Sequence, residues 1–370
     1  MAISIQDVAK RAGVAIGTVS RAFNDYQDIR PETKERIFLA ARELGYTPNV
    51  SARNLSAKKP PNIGLIVSGL LEGNQKDNLV YLLLQGVLSY ATKHRLEIAL
   101  YTTDSQEQRK RSYTEFCAQH SISGTILSGI TTDDAYFSEL MDSGIPTVAV
   151  DVPIPNENAG WVSIDNRLAA RQAVEFLLKQ GLRDLLIVGG KQNADVNMVR
   201  MQGVLEAYQA ARLVARECDC LYCDFSEEMA YQKVAERLRS SAGRPQAVFC
   251  FSDLMALGAM RAVREAGLRI PEDISVMGFD GLYIGELTMP PLTTMGQDMR
   301  AMGYEAASLL HALMEHRCQE RHRVLPHRLL VAGVQEFGGA LEPVLRLDGQ
   351  ALENGLVQIL RDVDAALGDG

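Results

Sequence analysis

From Asn62 onward, short apolar runs alternate with longer amphipathic stretches, and few folds accept that pattern. The apolar runs fall at 63–67, 97–101, 124–127, 147–150, 185–188, 247–251 and 275–278. Helical periodicity occupies 77–94, 106–120, 166–180, 199–212, 227–241 and 253–266. Strand–helix alternation predicts parallel sheets whose strands are apolar on both faces because helices cover both. Residues 62–340 are long enough for two such doubly wound lobes, with a break expected near 163–165. Sheets of this kind bind ligands at the carboxyl ends of their strands.

The first sixty residues follow a different plan. Ser4-Ile5-Gln6-Asp7 matches a capping box with Asp in the last place, and Ile5, Val8, Ala9 and Ala12 then share one helical face. Gly13 stops that helix. A second short helix is expected from Ile16, with Val19 and Ala22 inward. Pro31 is preset for the first turn of a third, whose core stripe is Ile37, Ala40, Ala41 and Leu44. Two helices joined by a Gly-containing turn, with a third across them, form the helix-turn-helix plan, and the same pattern also fits a generic three-helix unit. On the first reading the second helix enters the major groove. Arg21 then forks onto guanine or a phosphate, Thr18 and Ser20 suit phosphates or base edges, and Ile16 suits a thymine methyl.

Charge favours the first reading. Residues 1–60 hold ten Lys/Arg against six Asp/Glu, whereas the rest hold 28 against 40. A basic module on an acidic body places contact with a polyanion at the head alone. The N-terminus lacks a basic segment followed by an apolar core, and no run approaches the ~18 apolar residues of a membrane span, so a soluble, cytoplasmic protein is expected. Six scattered cysteines, three of them at 218, 220 and 223, then read as reduced thiols.

No Walker sequence, dinucleotide fingerprint, nucleophile elbow or H-E-x-x-H occurs, and the six His have no ligand spacing. No catalytic residue, cofactor or metal is therefore expected. The rival readings are a sugar-processing enzyme with an accessory head and a pure solute-binding module. Trp161, the single tryptophan, falls near the expected lobe crossover and offers a fluorescence reporter of ligand binding.

Several strings carry a resemblance. Residues 5–14 (IQDVAKRAGV), Thr18-Val19-Ser20-Arg21, Pro31-Glu32-Thr33 and Leu44-Gly45-Tyr46-Thr47-Pro48-Asn49 resemble the signature of the lactose/galactose repressor (LacI/GalR) family. Gly17 and Arg30 depart from it: the family often has a base-reading side chain at the first position and a Ser cap at the second. The resemblance implies a cytoplasmic dimer that binds a near-palindromic DNA operator and represses carbohydrate genes. Residues 1–47 would be the DNA-binding domain and 48–61 a hinge. Ser4, Ile16, Gly17, Thr18, Ser20 and Arg21 of the head would face DNA. In the hinge, Asn49, Ser51, Ala52 and Arg53 would do so too, with Leu55 wedged between central base pairs. Without the resemblance, that segment reads as an ordinary linker.

Further strings, including Arg200-Met201-Gln202-Gly203, Ser252-Asp253 and Gly278-Phe279-Asp280, resemble the family's effector domain, which is similar to periplasmic sugar-binding proteins. This implies two lobes crossed by three segments, and a sugar-like effector. Arg200 would donate to its hydroxyls or to a carboxylate, and Asp280 would be the accepting partner. Phe225 would stack on it, and Ser68, Asp151 and Ser252 would line the pocket. A structural Arg200–Asp280 salt bridge is the competing reading. Residues 341–370 carry leucines at heptad spacing and resemble the tetramer-forming helix of some members, while a helix packed on its own domain fits as well.

Overall fold

The computed structural model describes residues 4–23, 29–44, 46, 62–69, 78–214, 219–241, 243–332, 335–337 and 340–342. The hinge residues Asn49, Ser51, Ala52, Arg53 and Leu55, the heptad tail and Cys218 lie outside them.

Ser4 opens α1 (Ile5–Ala12): the Asp7 carboxylate turns back and accepts from the Ser4 amide at 2.8 Å and its hydroxyl at 2.7 Å. Those bonds, the hydroxyl's first, hold the Asp7 carboxyl below the usual range. Gly13 closes the helix at φ +64°, a conformation that penalises any Cβ. Then come α2 (Ile16–Phe23) and α3 (Pro31–Leu44). Val8, Ala9, Ala12, Val19, Ala22, Ile37, Ala40 and Ala41 form their shared core, as the spacing predicts.

The first lobe runs β1 (Asn62–Ser68), α4 (Asn78–His94), β2 (Glu97–Thr103), α5 (Ser105–Lys110), α6 (Tyr113–Gln119), β3 (Gly124–Ser128), α7 (Ala135–Leu140), β4 (Thr147–Val150) and β5 (Ala159–Ile164). The second runs α8 (Asn166–Lys179), β6 (Leu185–Gly189), α9 (Asp195–Ala210), β7 (Cys220–Tyr222), α10 (Glu227–Arg239), β8 (Ala247–Cys250), α11 (Asp253–Glu265), β9 (Ser275–Asp280), α12 (Tyr283–Glu286) and β10 (Thr293–Gln297). The chain then returns to the first lobe as α13 (Met299–Met314) and β11 (His322–Leu325). It crosses again as β12 (His327–Leu330), and a hairpin of β13 (Gln335–Phe337) and β14 (Ala340–Glu342) follows.

Strand order is β11-β5-β4-β3-β1-β2 in one sheet and β12-β10-β9-β8-β6-β7 in the other. The first sheet is parallel throughout. The second departs from the expected parallel plan at one edge, where β12 pairs antiparallel with β10. In each sheet the order reverses once, between β1 and β3 and between β6 and β8, and such points open a crevice beyond the strand ends. The three crossovers lie side by side, because β11 pairs with β5 up to Leu325↔Ile164 and β12 pairs with β10 at Gln297↔His327.

Two expected helices differ. The stretch 106–120 is two helices, because Ser112 starts a new capping box with Glu115. The helix expected at 199 begins at Asp195, which carries that carboxylate into its first turn.

Helices α4 and α13 pack backbone to backbone. A Cβ on Gly86 would overlap the Arg300 carbonyl oxygen, and one on Gly303 would overlap that of Leu83. Gly86→Ala should therefore cost about 1–3 kcal/mol through overpacking, measured as a lower midpoint in urea with an unchanged slope.

Candidate functional site

The six residues expected to meet an effector come together. Ser68, Asp151, Arg200, Phe225, Ser252 and Asp280 all line one cavity of about 1170 Å³ between the lobes. Their convergence follows from topology. Ser68 ends β1, Ser128 ends β3 with Gly129 after it, and Asp151 follows β4, while Lys191 follows β6 and Phe251 and Ser252 follow β8. Both switch-point crevices thus open into the same space.

Arg200 is the buried centre. Its Nε donates to Asn166 Oδ1 at 2.8 Å, its Nη1 donates to the Phe251 carbonyl at 2.5 Å, and its guanidinium lies 3.6 Å from the centroid of the Phe279 ring. Nη1 is also 3.9 Å from Asp280 Oδ1, with both side chains under 5% exposed. Burial pulls the Arg200 pKa down, and the charges of Asp280, Asp151 and Asp253 pull it back up. The salt bridge and the cavity position therefore coexist in the same two residues.

Asp280 Oδ1 accepts from Gln297 Nε2 at 2.8 Å. Gln297 lines the cavity too, and its buried Oε1 has no hydrogen-bond partner among the described residues. Buried acceptors are normally paired, so a ligand hydroxyl suits this atom. Asp151 sits at φ +64° and accepts from Ser163 at 2.5 Å. Burial pushes its carboxyl up, opposed by the Ser163 bond and by Arg200. Asp195, across the cavity, is pushed up by burial and then by Asp151. Phe225 follows β7, and the tip of its ring occupies the place a Cβ on Gly190 would need.

Ser252 lines the cavity, but its hydroxyl accepts from the Met255 amide at 3.2 Å and caps α11. Its neighbour Asp253 faces away, accepting from Thr294 Oγ1 and the Leu282 amide at 2.6 Å each and so tying down the loop after Asp280. Burial pushes the Asp253 carboxyl up to about 6 against the pull of those bonds. The proton is held more tightly in the folded chain than in the unfolded one, where Asp titrates near about 3.9. Its stabilising effect is thus full below about pH 4 and lost as pH rises through 6. Asp253→Asn can still accept from Leu282 and donate to Thr294. Its melting temperature should fall less between pH 5 and 7 than that of the unmodified protein.

Gln297, Asn166 and Asp195 carry no motif in sequence; each belongs to the site because an element begins or ends there. Trp161 lies on β5, which leads into the first crossover, but it lines a separate pocket, its ring stacked on His322 at 5.2 Å. Bonds also span the lobes: Asn193 Nδ2 donates to Asp133 Oδ2 at 2.7 Å, and Asn166 Nδ2 donates to Ser163 Oγ at 3.0 Å. Among the described residues no group of three His, Cys, Asp or Glu is placed to hold a metal, and no helix is long and apolar enough to cross a membrane.

In the head, Val19 and Ala22 bury one face of α2 while Ile16, Gly17, Ser20 and Arg21 lie exposed on the other and Thr18 is half-buried. Ile16 is 46% exposed. Ser4 is exposed, yet its hydroxyl proton goes to Asp7, which leaves none for a phosphate.

A helix-turn-helix head carried on a two-lobed, cleft-bearing body defines a class, the ligand-responsive DNA-binding protein. Residues 4–49 match the family described as bacterial regulatory proteins, lacI family, and residues 174–333 match the periplasmic binding protein-like domain. The HTH-type transcriptional regulator CelR of Thermobifida fusca is 34% identical over 83% of this chain and 90% of its own. The ribose operon repressor of Halalkalibacterium halodurans is 31% identical over 90% and 98%. Among solved structures, a CelR–cellobiose complex superposes with a TM-score of 0.69 at 31% identity, covering 90% of this chain and 99% of that one. A lac repressor dimer bound to operator superposes at 0.65 with 25% identity, over 90% and 98%. The chain belongs to the LacI family of bacterial transcription regulators.

Proposed function

We propose that this protein is a cytoplasmic, homodimeric repressor of carbohydrate-metabolism genes, controlled by a sugar-like effector held between the lobes. The observation that carries the effector half is the convergence of Arg200, Asp280, Asp151 and Gln297 on one cavity, with Phe225 beside them. A polyol needs charged and amide groups for its hydroxyls and an apolar surface for its ring, and that set supplies both. The CelR–cellobiose complex supports the ligand class.

The DNA half rests on the exposed face of α2. Ile16, Gly17, Thr18, Ser20 and Arg21 meet the operator's major groove, and the hinge residues 49, 51–53 and 55 meet its minor groove. Exposed apolar side chains on α4 (Tyr81, Leu88) and at Tyr283, Leu287 and Met289 suit a dimer face. Effector and operator then change each other's affinity by one common factor. The enzyme reading is not favoured: the curated relatives are transcription regulators.

Incubating the purified protein with a random double-stranded DNA pool and sequencing the retained fraction tests this. Enrichment of a palindrome of roughly 14–20 bp with a flexible central step is the expected result. Failure to enrich any sequence, with and without a metabolite extract, would overturn the reading.

A further inference from the structure

The charge of the cleft narrows the effector. Among the described residues six carboxylates line it (Asp151, Asp195, Asp224, Glu227, Glu228 and Asp280) against two cations, Lys191 and Arg200. Arg200 brings little uncompensated charge to a ligand anion. Its Nε and Nη1 are committed to Asn166 and the Phe251 carbonyl, and its charge is balanced by the Asp280 carboxylate 3.9 Å away. Lys191 is exposed, and its charge acts on Asp133, the carboxylate that accepts from Asn193. Of the acids, Glu228 has a cation, Arg261, at 3.3 Å. Asp195 is half-buried, and Asp195 and Asp151 reach the cavity from opposite lobes. An anionic group drawn between the lobes would be stripped of water beside like charges. A hydroxyl or an ammonium would instead find acceptors. The volume, about 1170 Å³, exceeds the ~300–1,000 Å³ of ordinary small-molecule pockets and leaves room for more than one ring.

We infer that the cleft takes an uncharged or basic glycoside of two or more rings and turns away its phosphorylated or carboxylated counterparts. This rests on the sugar-effector reading above and names the class of ligand within it.

The test is calorimetric titration of the full chain with matched probes: neutral disaccharides, their 2-amino-2-deoxy analogues and their 6-phosphate esters, with the component monosaccharides alongside. A neutral or amino disaccharide should bind, its monosaccharides should bind more weakly, and its phosphate ester should bind at least about 100-fold more weakly than the parent, as like-charge juxtaposition predicts. In Glu227→Gln/Glu228→Gln the ratio of ester to parent affinity should narrow about tenfold. An ester within tenfold of its parent, a ratio unmoved in that variant, or a monosaccharide that binds as tightly as its disaccharide overturns the inference and leaves the sugar reading standing. If no saccharide of any charge binds, the sugar reading itself fails, and the inference with it.

Discussion

Asp280→Ala is expected to abolish the response to effector while operator binding stays within about twofold. Asp280 sits at the carboxyl end of β9, bonded to Gln297 and facing Arg200. A hydrogen bond to a charged acceptor contributes about 1.5–3 kcal/mol, so losing one or two to ligand hydroxyls weakens binding roughly 10- to 10⁴-fold. The substitution also removes a counter-charge from buried Arg200, and breaking such a pair costs about 3–5 kcal/mol when nothing replaces it. Here Asp151 and Asp253 still act on Arg200, so the protein should fold with a lowered melting temperature. Asp280→Asn separates the two effects: it preserves shape and one acceptor, and should melt closer to the unmodified protein while still losing most effector affinity. Gel-shift titrations with and without effector, run beside thermal melts, measure both. An unchanged effector response in either variant removes Asp280 from the site.

Arg21→Ala is expected to weaken the operator complex by about 1–3 kcal/mol per head if Arg21 forks onto a guanine, and to relax the sequence preference at that base pair alone. A phosphate role predicts something different: a uniform loss across sequences and a salt slope shallower by about one per head. Measuring affinity for the operator and for its single-base variants at two salt concentrations distinguishes them. Effector affinity should not move, since the cavity includes no residue of the head. Gly17 sharpens the expectation. It is exposed and helical, with open space where its Cβ would be, so the readout by α2 falls more heavily on its neighbours.

Much of this architecture is legible in the sequence because local signals and packing agree. Ser4, Gly13 and Pro31 punctuate the head where their chemistry demands, and the apolar runs of β1, β3, β4, β6 and β8 are too short for helices and read as strands covered on both faces. The strands that escape notice are those whose residues are ordinary. Thr293-Thr294-Met295-Gly296-Gln297 and the short β11 and β12, each opening on His-Arg, alternate weakly, and pairing rather than propensity fixes them. Gln297 goes unrecognised for that reason, since its position at a strand end exists only once β10 pairs with β9. Asp195 is hidden by a boundary: the apolar periodicity starts later than the helix does. Ser252 shows the opposite limit. Its motif locates it correctly at the cavity, while the chain spends its hydroxyl on a helix cap.

The side-by-side crossovers have a mechanical consequence. Asp165 and Asp298 occupy two of them, and each caps the helix that follows, through bonds of 2.9 Å to Leu168 and 2.8 Å to Ala301. Each aspartate is therefore carried by the lobe it leads into. Pro326, in the third, has a fixed φ and no backbone donor. Three short tethers in a row, none able to stretch, leave the lobes little freedom except to swing like the covers of a book about its spine. Sliding one lobe past the other would have to stretch all three tethers at once. A ligand drawing the covers together thus has one coordinate to drive, and a small angle at the spine becomes a larger displacement at the outer edges.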